Sequence, residues 1–237
     1  MNNVLDYLAG LFDSGLSYRT INVARSTLSS TLQHIDGVAV GCHPLVVRLM
    51  KGVFNSRPPV KKTFPSWSVS KVIETLKAWS PAGSLSLRCL TLKTVMLLAL
   101  ATGKRVSSLY LLSIKKGYIQ FSDSKVVLQF DGLEKHSRPE FSGAPVVLQS
   151  FNEDPRICPV FYLRYYLKKT KDIRKSDRLF VCVNAPHSAP KPATLSSWLR
   201  KVITQSGQAG SGGSVRSLAS SRAFALGVSL SDIVRVL

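Results

Sequence analysis

The run Thr94-Val95-Met96-Leu97-Leu98-Ala99-Leu100-Ala101 is apolar on every side of a helix, and it ends in Thr102-Gly103-Lys104-Arg105-Val106-Ser107. A helix without a polar face has to be surrounded by other elements. The run is too short to cross a bilayer and is flanked by Lys93 and Lys104. It therefore reads as the central helix of a packed domain with a cationic corner at its C-terminal end. Far downstream a second arginine has a similar apolar setting, Gly213-Ser214-Val215-Arg216-Ser217-Leu218. Two guanidinium groups held by apolar segments can grip one phosphate from two sides.

The charge balance supports a phosphate. Lys and Arg number 32 against 13 Asp and Glu, a formal net charge of +19 over 237 residues. Such an excess repels itself in a compact protein and points to a polyanionic partner, nucleic acid above all. Each phosphate that is neutralised releases counterions, so binding should weaken with salt. A solvated basic surface with no specific partner is the plainer reading of the same number.

Other chemistries find little support. Cys42, Cys89, Cys158 and Cys182 form no CxxC pair, and no His stands at finger spacing, so no metal is expected. The cysteines read as small buried residues of a reducing compartment. Residues 207–213 are glycine-rich but lack the Gly-Lys-Ser/Thr ending of a phosphate-binding loop, and 208–213 reads as a flexible connection. Asp123, Asp131 and Glu134 read as turn residues. No basic stretch followed by an apolar run opens the chain, so no signal peptide is visible. No cofactor and no membrane partner are expected; a nuclear location suits the charge.

The chain divides by pattern. Leu5, Leu8 and Phe12 share a helix face; a second helix begins at Ser17 or Tyr18 and carries Ile21, Ala24, Leu28 and Leu32; a third follows His43-Pro44 with Val46, Leu49, Met50 and Val53. Residues 1–55 thus form a helical module. Residues 56–65 hold Pro58, Pro59 and Pro65 with Lys61 and Lys62, which makes a basic extended linker. Residues 66–237 form a second domain. Ser66-Trp67-Ser68 caps a helix with Val72, Ile73 and Leu76, and the core helix covers 87–101. Residues 117–121, 125–130 and 144–148 are short β-rich runs between turn residues. Helices resume at 159–163, where Phe161, Tyr162, Tyr165 and Tyr166 read as core plus interface, then at 194–199 and 215–226. Gly227 ends the last of these, and Ser229 caps a final helix over 230–237. The expected fold class is α+β, mainly α with a small antiparallel β-sheet.

In this order the chain resembles the tyrosine recombinases, or phage-integrase family, in wording closest to recombinases of eukaryotic mobile elements of the DIRS and Crypton type. The matching stretches are Leu16-Ser17-Tyr18-Arg19-Thr20-Ile21-Asn22, residues 102–107, Gly132-Leu133-Glu134-Lys135-His136-Ser137-Arg138-Pro139, and residues 214–217 through 227–233. The resemblance implies a core-binding, SAM-like helical domain ahead of an integrase-like catalytic domain. It implies cleavage and rejoining of double-stranded DNA through a 3′-phosphotyrosyl link, without metal, by homo-oligomers on DNA. Arg105 and Arg216 match the family's two catalytic arginines, whose forks suit the oxygens of the reacting phosphate. Lys135 matches the sheet lysine, the general acid for the departing 5′-oxygen. Arg19, Arg25, Lys61, Lys62 and Lys104 would contact backbone phosphates, and the two domains would close on the duplex as a clamp. Without the resemblance, Arg105 is a helix-end cation, Arg216 an arginine at a helix start and Lys135 a solvated loop charge.

The pattern also departs from the family. Gly213 stands where the family has a histidine or another polar residue, and Ser108 stands where relatives often carry an acid. All seven tyrosines, Tyr7, Tyr18, Tyr110, Tyr118, Tyr162, Tyr165 and Tyr166, precede Arg216, so the family's nucleophile would fall beyond Leu237. The chain as given, whether an incomplete gene model, a fragment or a degenerate copy, is expected to hold DNA without cleaving it. The rival readings are a non-enzymatic DNA-binding protein derived from a mobile element and an RNA-binding basic protein. The second lacks an aromatic strand of the kind that stacks RNA bases.

Overall fold

The chain divides into two compact units, Met1–Phe64 and Pro65–Leu237, in a computed structural model that describes residues 1–60, 67–135, 137–139 and 143–236. Ser66, Lys61, Lys62 and His136 lie outside the described residues.

The first unit is three helices: α1 (Asn2–Asp13), α2 (Tyr18–Thr31) and α3 (Pro44–Ser56). Ser17 caps α2 by accepting from the Thr20 N–H, and Pro44 opens α3 beside a His43 ring that accepts from Leu45. Both devices satisfy or remove donors that a helix start leaves unpaired. Val4, Leu8, Ile21, Val40, Val46, Met50 and Val53 close the core. Leu32 falls outside the helix that the periodicity gives it: α2 ends at Thr31, and Leu32 is extended and 43% exposed. The last two turns are rich in hydroxyls that donate back to the carbonyl four residues earlier, from Ser26, Thr27, Ser30 and Thr31. Such bonds weaken a helix end. At the other boundary α3 continues through Ser56, a residue placed in the linker by its sequence. Arg57 then folds back, donating to the carbonyls of Phe12 and Leu16 with its guanidinium 4.3 Å over the Phe12 ring.

The second unit is mainly helical. Its elements are α4 (Val69–Ala78), α5 (Leu87–Thr102), α6 (Val106–Leu111), β1 (Ile119–Phe121), β2 (Lys125–Leu128), β3 (Val146–Gln149), α7 (Pro159–Thr170), α8 (Pro192–Gln205), α9 (Ser214–Ala225) and α10 (Leu230–Val236). As the apolar run requires, α5 is buried without interruption from Leu90 to Ala99, and α7, α8, α9 and β3 pack on it. The sheet is antiparallel in the order β1-β2-β3, with Val126 opposite Leu148. Val126, Leu128, Val146 and Leu148 alternate into the core. The second β-rich run stops at Leu128, since Phe130 leaves the ladder to bridge Leu112 at the end of α6. The fold is thus mainly α with a small antiparallel sheet. Among the described residues no helix is long and apolar enough to cross a membrane.

Two expectations fail here. Only Cys158 is buried; Cys42 is exposed, and Cys89 and Cys182 are half-buried. The Cys158 thiol acts as a polar cap, accepting from the Phe161 N–H at the start of α7. Lys93, read as a flanking charge, is completely buried. Its ammonium donates 2.6 Å to the Leu76 carbonyl and 2.6 Å to the Trp79 carbonyl, groups that the end of α4 leaves open, and sits 4.0 Å from the Tyr162 ring centre.

Burial pushes the Lys93 pKa down from 10.5 to about 8, with Asp154 opposing part of that shift. The folded protein therefore binds this proton less tightly than the unfolded chain does. The destabilisation is complete below about pH 8 and relaxes as pH rises toward the unfolded value. Its ceiling is about 3 kcal/mol. Denaturant melts of the wild type and Lys93→Met should diverge between about pH 8 and pH 10, the wild type gaining about 2 kcal/mol over the variant. Parallel pH profiles would refute the assignment. Burial raises the Tyr162 and Tyr166 pKa values, and both proteins share those groups.

Candidate functional site

The first arginine is placed by the end of α5. Gly103 takes the left-handed conformation at φ 58° and its N–H bonds to the Ala99 carbonyl. A side chain resists that conformation, which is why glycine stands there. The Thr102 hydroxyl donates 2.8 Å to the Leu98 carbonyl and accepts from the Lys104 N–H. The chain then turns extended at Arg105, whose carbonyl accepts from the Leu109 N–H to start α6.

The second arginine is placed by a loop that its glycines suggest is flexible, and the structure corrects this. The Gln208 amide clasps both backbone groups of Ser68. A Cβ at Gly210 would lie 2.4 Å from the Trp67 ring, and one at Gly212 would lie 2.3 Å from the Ser196 carbonyl oxygen. These glycines serve close approach rather than mobility. Buried Trp67 donates 2.8 Å from its indole to the Ser214 hydroxyl, which donates 2.6 Å to the Ser211 carbonyl. The first turn of α9, with Arg216 in it, is thereby pinned to the segment that leads into α4.

The two arginines meet across a cleft of about 490 Å³, whose walls include Lys104, Arg105, Ser107, Ser196, Gly213 and Arg216. Burial, followed by repulsion from Arg105, works against the charge of Arg216, while Glu134 favours it. The Nη1 atom of Arg216 is buried and has no hydrogen-bond acceptor among the described residues. A desolvated guanidinium nitrogen without an acceptor is costly and calls for an explanation. An anion with several oxygens would supply one.

The remaining candidates distribute unevenly. Lys104 lines the cleft, 3.8 Å from the Glu134 carboxylate and 5.3 Å from the centre of the Phe130 ring. Lys135 does not line it; it is exposed in the β2–β3 connection, next to Glu134. Arg19 is exposed on α2. Arg25 is engaged within the fold, its Nε donating 2.7 Å to the Gly41 carbonyl and Nη1 donating to Asn22. Asp131 takes more than a turn role: the Lys115 ammonium at 2.8 Å holds its pKa below the usual carboxylate range. Glu134 closes a turn through Ser137, yet its carboxylate is only 12% exposed and paired to Lys104. Trp67, Ser214 and Glu134 are the residues of this site that sequence reasoning missed. The sole signal was an isolated tryptophan beside a helix cap. No tyrosine is among the cleft-lining residues. Among the described residues no cluster of three or more His, Cys, Asp or Glu could hold a metal.

No protein-family model and no curated protein matches the sequence. Solved structures do. The Tn1549 transposon integrase in complex with transposon right end DNA matches over 99% of this chain and 76% of its own, at 13% identity and a TM-score of 0.66. The XerA recombinase matches over 99% and 79%, at 15% identity and a TM-score of 0.53. A lambda integrase dimer bound to a COC′ core site matches over 100% of this chain, at 16% identity and a TM-score of 0.55, and the chain spans only 60% of that protein. At these identities the likeness is one of fold. The fold is that of the tyrosine recombinases, as the order of helices, sheet and arginines in the sequence implies.

Proposed function

We propose that this chain binds double-stranded DNA and holds one backbone phosphate between Arg105 and Arg216, the grip on which recombinase-type strand exchange is built. The observation that carries this reading is the buried, acceptor-less Nη1 of Arg216 in a cleft shared with Arg105. Two forks reaching one phosphate satisfy that nitrogen and relieve the repulsion between the arginines. The same fixed donors stabilise charge that grows on the phosphate oxygens in a pentavalent state. The net charge of +19 supplies the wider field. Structures of the same fold are complexes with a core site, a dif substrate or a transposon end, and lambda integrase is also seen as a tetramer on a Holliday junction. They support duplex DNA as the partner and a homo-oligomer on it. Exposed Arg19, with Lys61, Lys62 and Lys104, adds phosphate contacts that position rather than read sequence. Lys135, to which the resemblance gives the general-acid role, lies outside the cleft wall, in the connection that also holds Glu134. The closer likeness to DIRS and Crypton recombinases rests on the sequence alone, and a nuclear location rests on the charge alone.

Strand cleavage further needs a nucleophile, and no tyrosine is among the residues lining the cleft. These residues therefore hold DNA rather than cut it. A labelled duplex should bind at low salt and lose at least about ten-fold in affinity at moderate salt. Salt-independent binding, or displacement of the duplex by a modest amount of RNA, would sink the reading. A nicked suicide duplex should leave no covalent adduct on a denaturing gel; a trapped adduct would show that the chain cleaves.

A further inference from the structure

Beyond the two arginines, a carboxylate that a phosphate-binding site would be expected to avoid pairs with Lys104 of the cleft wall. It belongs to Glu134, in the β2–β3 connection. Its backbone N–H donates 2.9 Å to the Ser137 hydroxyl, and its carbonyl accepts from the Ser137 N–H at 2.9 Å, so the turn beneath it is closed. Gly143 leaves room for the carboxylate: a Cβ there would stand 2.9 Å from Oε2. On its open side the carboxylate pairs at 3.8 Å with Lys104, and both side chains are nearly buried, at 12% and 10% exposure. Lys104, Arg105 and Arg216 line one cleft, and Glu134 is the anion that acts on Arg216.

We infer that the Glu134 carboxylate is an internal counter-anion that occupies the electrostatic place of the DNA phosphate in the free protein and competes with it for the cleft. This rests on the phosphate grip proposed above. Without an anion, three cations on one cleft repel each other. Ser108, in α6 just after Arg105, is buried and uncharged, so the neutralising charge comes from the β2–β3 connection instead. When a phosphate enters, Lys104 exchanges one anionic partner for another, and Glu134 then lies beside a like charge. The carboxylate thus steadies the empty cleft and weakens the filled one. Because Lys135 is the next residue, the same exchange bears on the turn that carries it.

The two effects have opposite signs, which separates this role from an ordinary structural ion pair. Glu134→Gln keeps the shape and can still accept from Lys104, but removes the charge. It should bind a labelled DNA duplex about three-fold to ten-fold more tightly than the wild type at low salt, with the gain shrinking as salt rises. It should also melt about 2–4 °C lower. Inorganic phosphate should displace the duplex from the wild type and from Glu134→Gln, at a lower concentration from the variant. Glu134→Asp keeps the charge and should bind as the wild type does. If Arg216→Ala binds the duplex as tightly as the wild type, the phosphate grip itself fails and this inference with it. If Arg216→Ala weakens binding while Glu134→Gln binds equally or less tightly than the wild type, the grip stands and the counter-anion is refuted.

Discussion

Replacing Arg216 with alanine should weaken duplex binding by about thirty-fold, close to 2 kcal/mol, and should leave the free protein no less stable than the wild type. The signs differ because the native side chain is strained electrically before any ligand arrives. Its Nη1 is buried without an acceptor among the described residues, and both burial and Arg105 oppose its charge. Truncation removes that penalty from the free state and removes the fork from the complex. Most residues behave otherwise, since burying a side chain in a fold usually makes its removal destabilising. Arg216→Lys keeps a charge but cannot address two oxygens at once, so it should recover only part of the loss. Arg105→Ala should act in the same direction. The double variant should lose less than the sum of the two, because both side chains serve one phosphate. Titration of a labelled duplex, with thermal melts as the fold control, checks each statement. Wild-type affinity in Arg216→Ala would remove the central observation from the functional reading.

Those arginines were legible in the sequence because one follows a fully apolar helix and the other stands in the first turn of a helix beside buried Val215, and periodicity is a strong local signal. The same signal fixed α1 to α3 through Leu8, Ile21 and Val46, and α5 through its continuous apolar face. What periodicity could not show is where long polar side chains end up. Lys93, Arg25 and Arg57 count toward the charge of +19, yet each spends its cation on backbone carbonyls within its own unit. A charge total cannot separate such pins from groups free to meet a phosphate. Nor could the sequence show that Glu134 pairs with Lys104 of the cleft wall, since the two residues come from different elements. Composition was misleading at one place in particular. Glycines between Gly207 and Gly213 read as slack, whereas two of them mark where backbone and ring approach most closely.

Gly212 carries the sharpest consequence of that packing. An added methyl group would lie 2.3 Å from the Ser196 carbonyl oxygen, 2.8 Å from its hydroxyl and 2.9 Å from its Cα. Two of these atoms belong to the backbone of α8, which is held against α5 by buried Leu195, Leu199, Val202 and Ile203. A flexible side chain could swing aside, but a helix backbone in a packed core cannot yield by half an ångström without opening its neighbours. Gly212→Ala should therefore destabilise the fold by about 3 kcal/mol, lowering the melting temperature by about 6–12 °C. Gly213→Ala is the internal control. Gly213 has helical dihedrals, and a Cβ there meets nothing nearer than the Ser211 hydroxyl at 4.0 Å, so the change should leave stability intact. The variant at Gly212 also bears on function, because the same loop sets the first turn of α9. Relief of the clash by a shift of that loop would move Arg216 away from Arg105. Even the molecules that remain folded should then bind duplex DNA more weakly than Gly213→Ala does. Equal melting temperatures for the two alanine variants would show that α8 and the loop are loosely apposed, and that the placement of Arg216 does not depend on their contact.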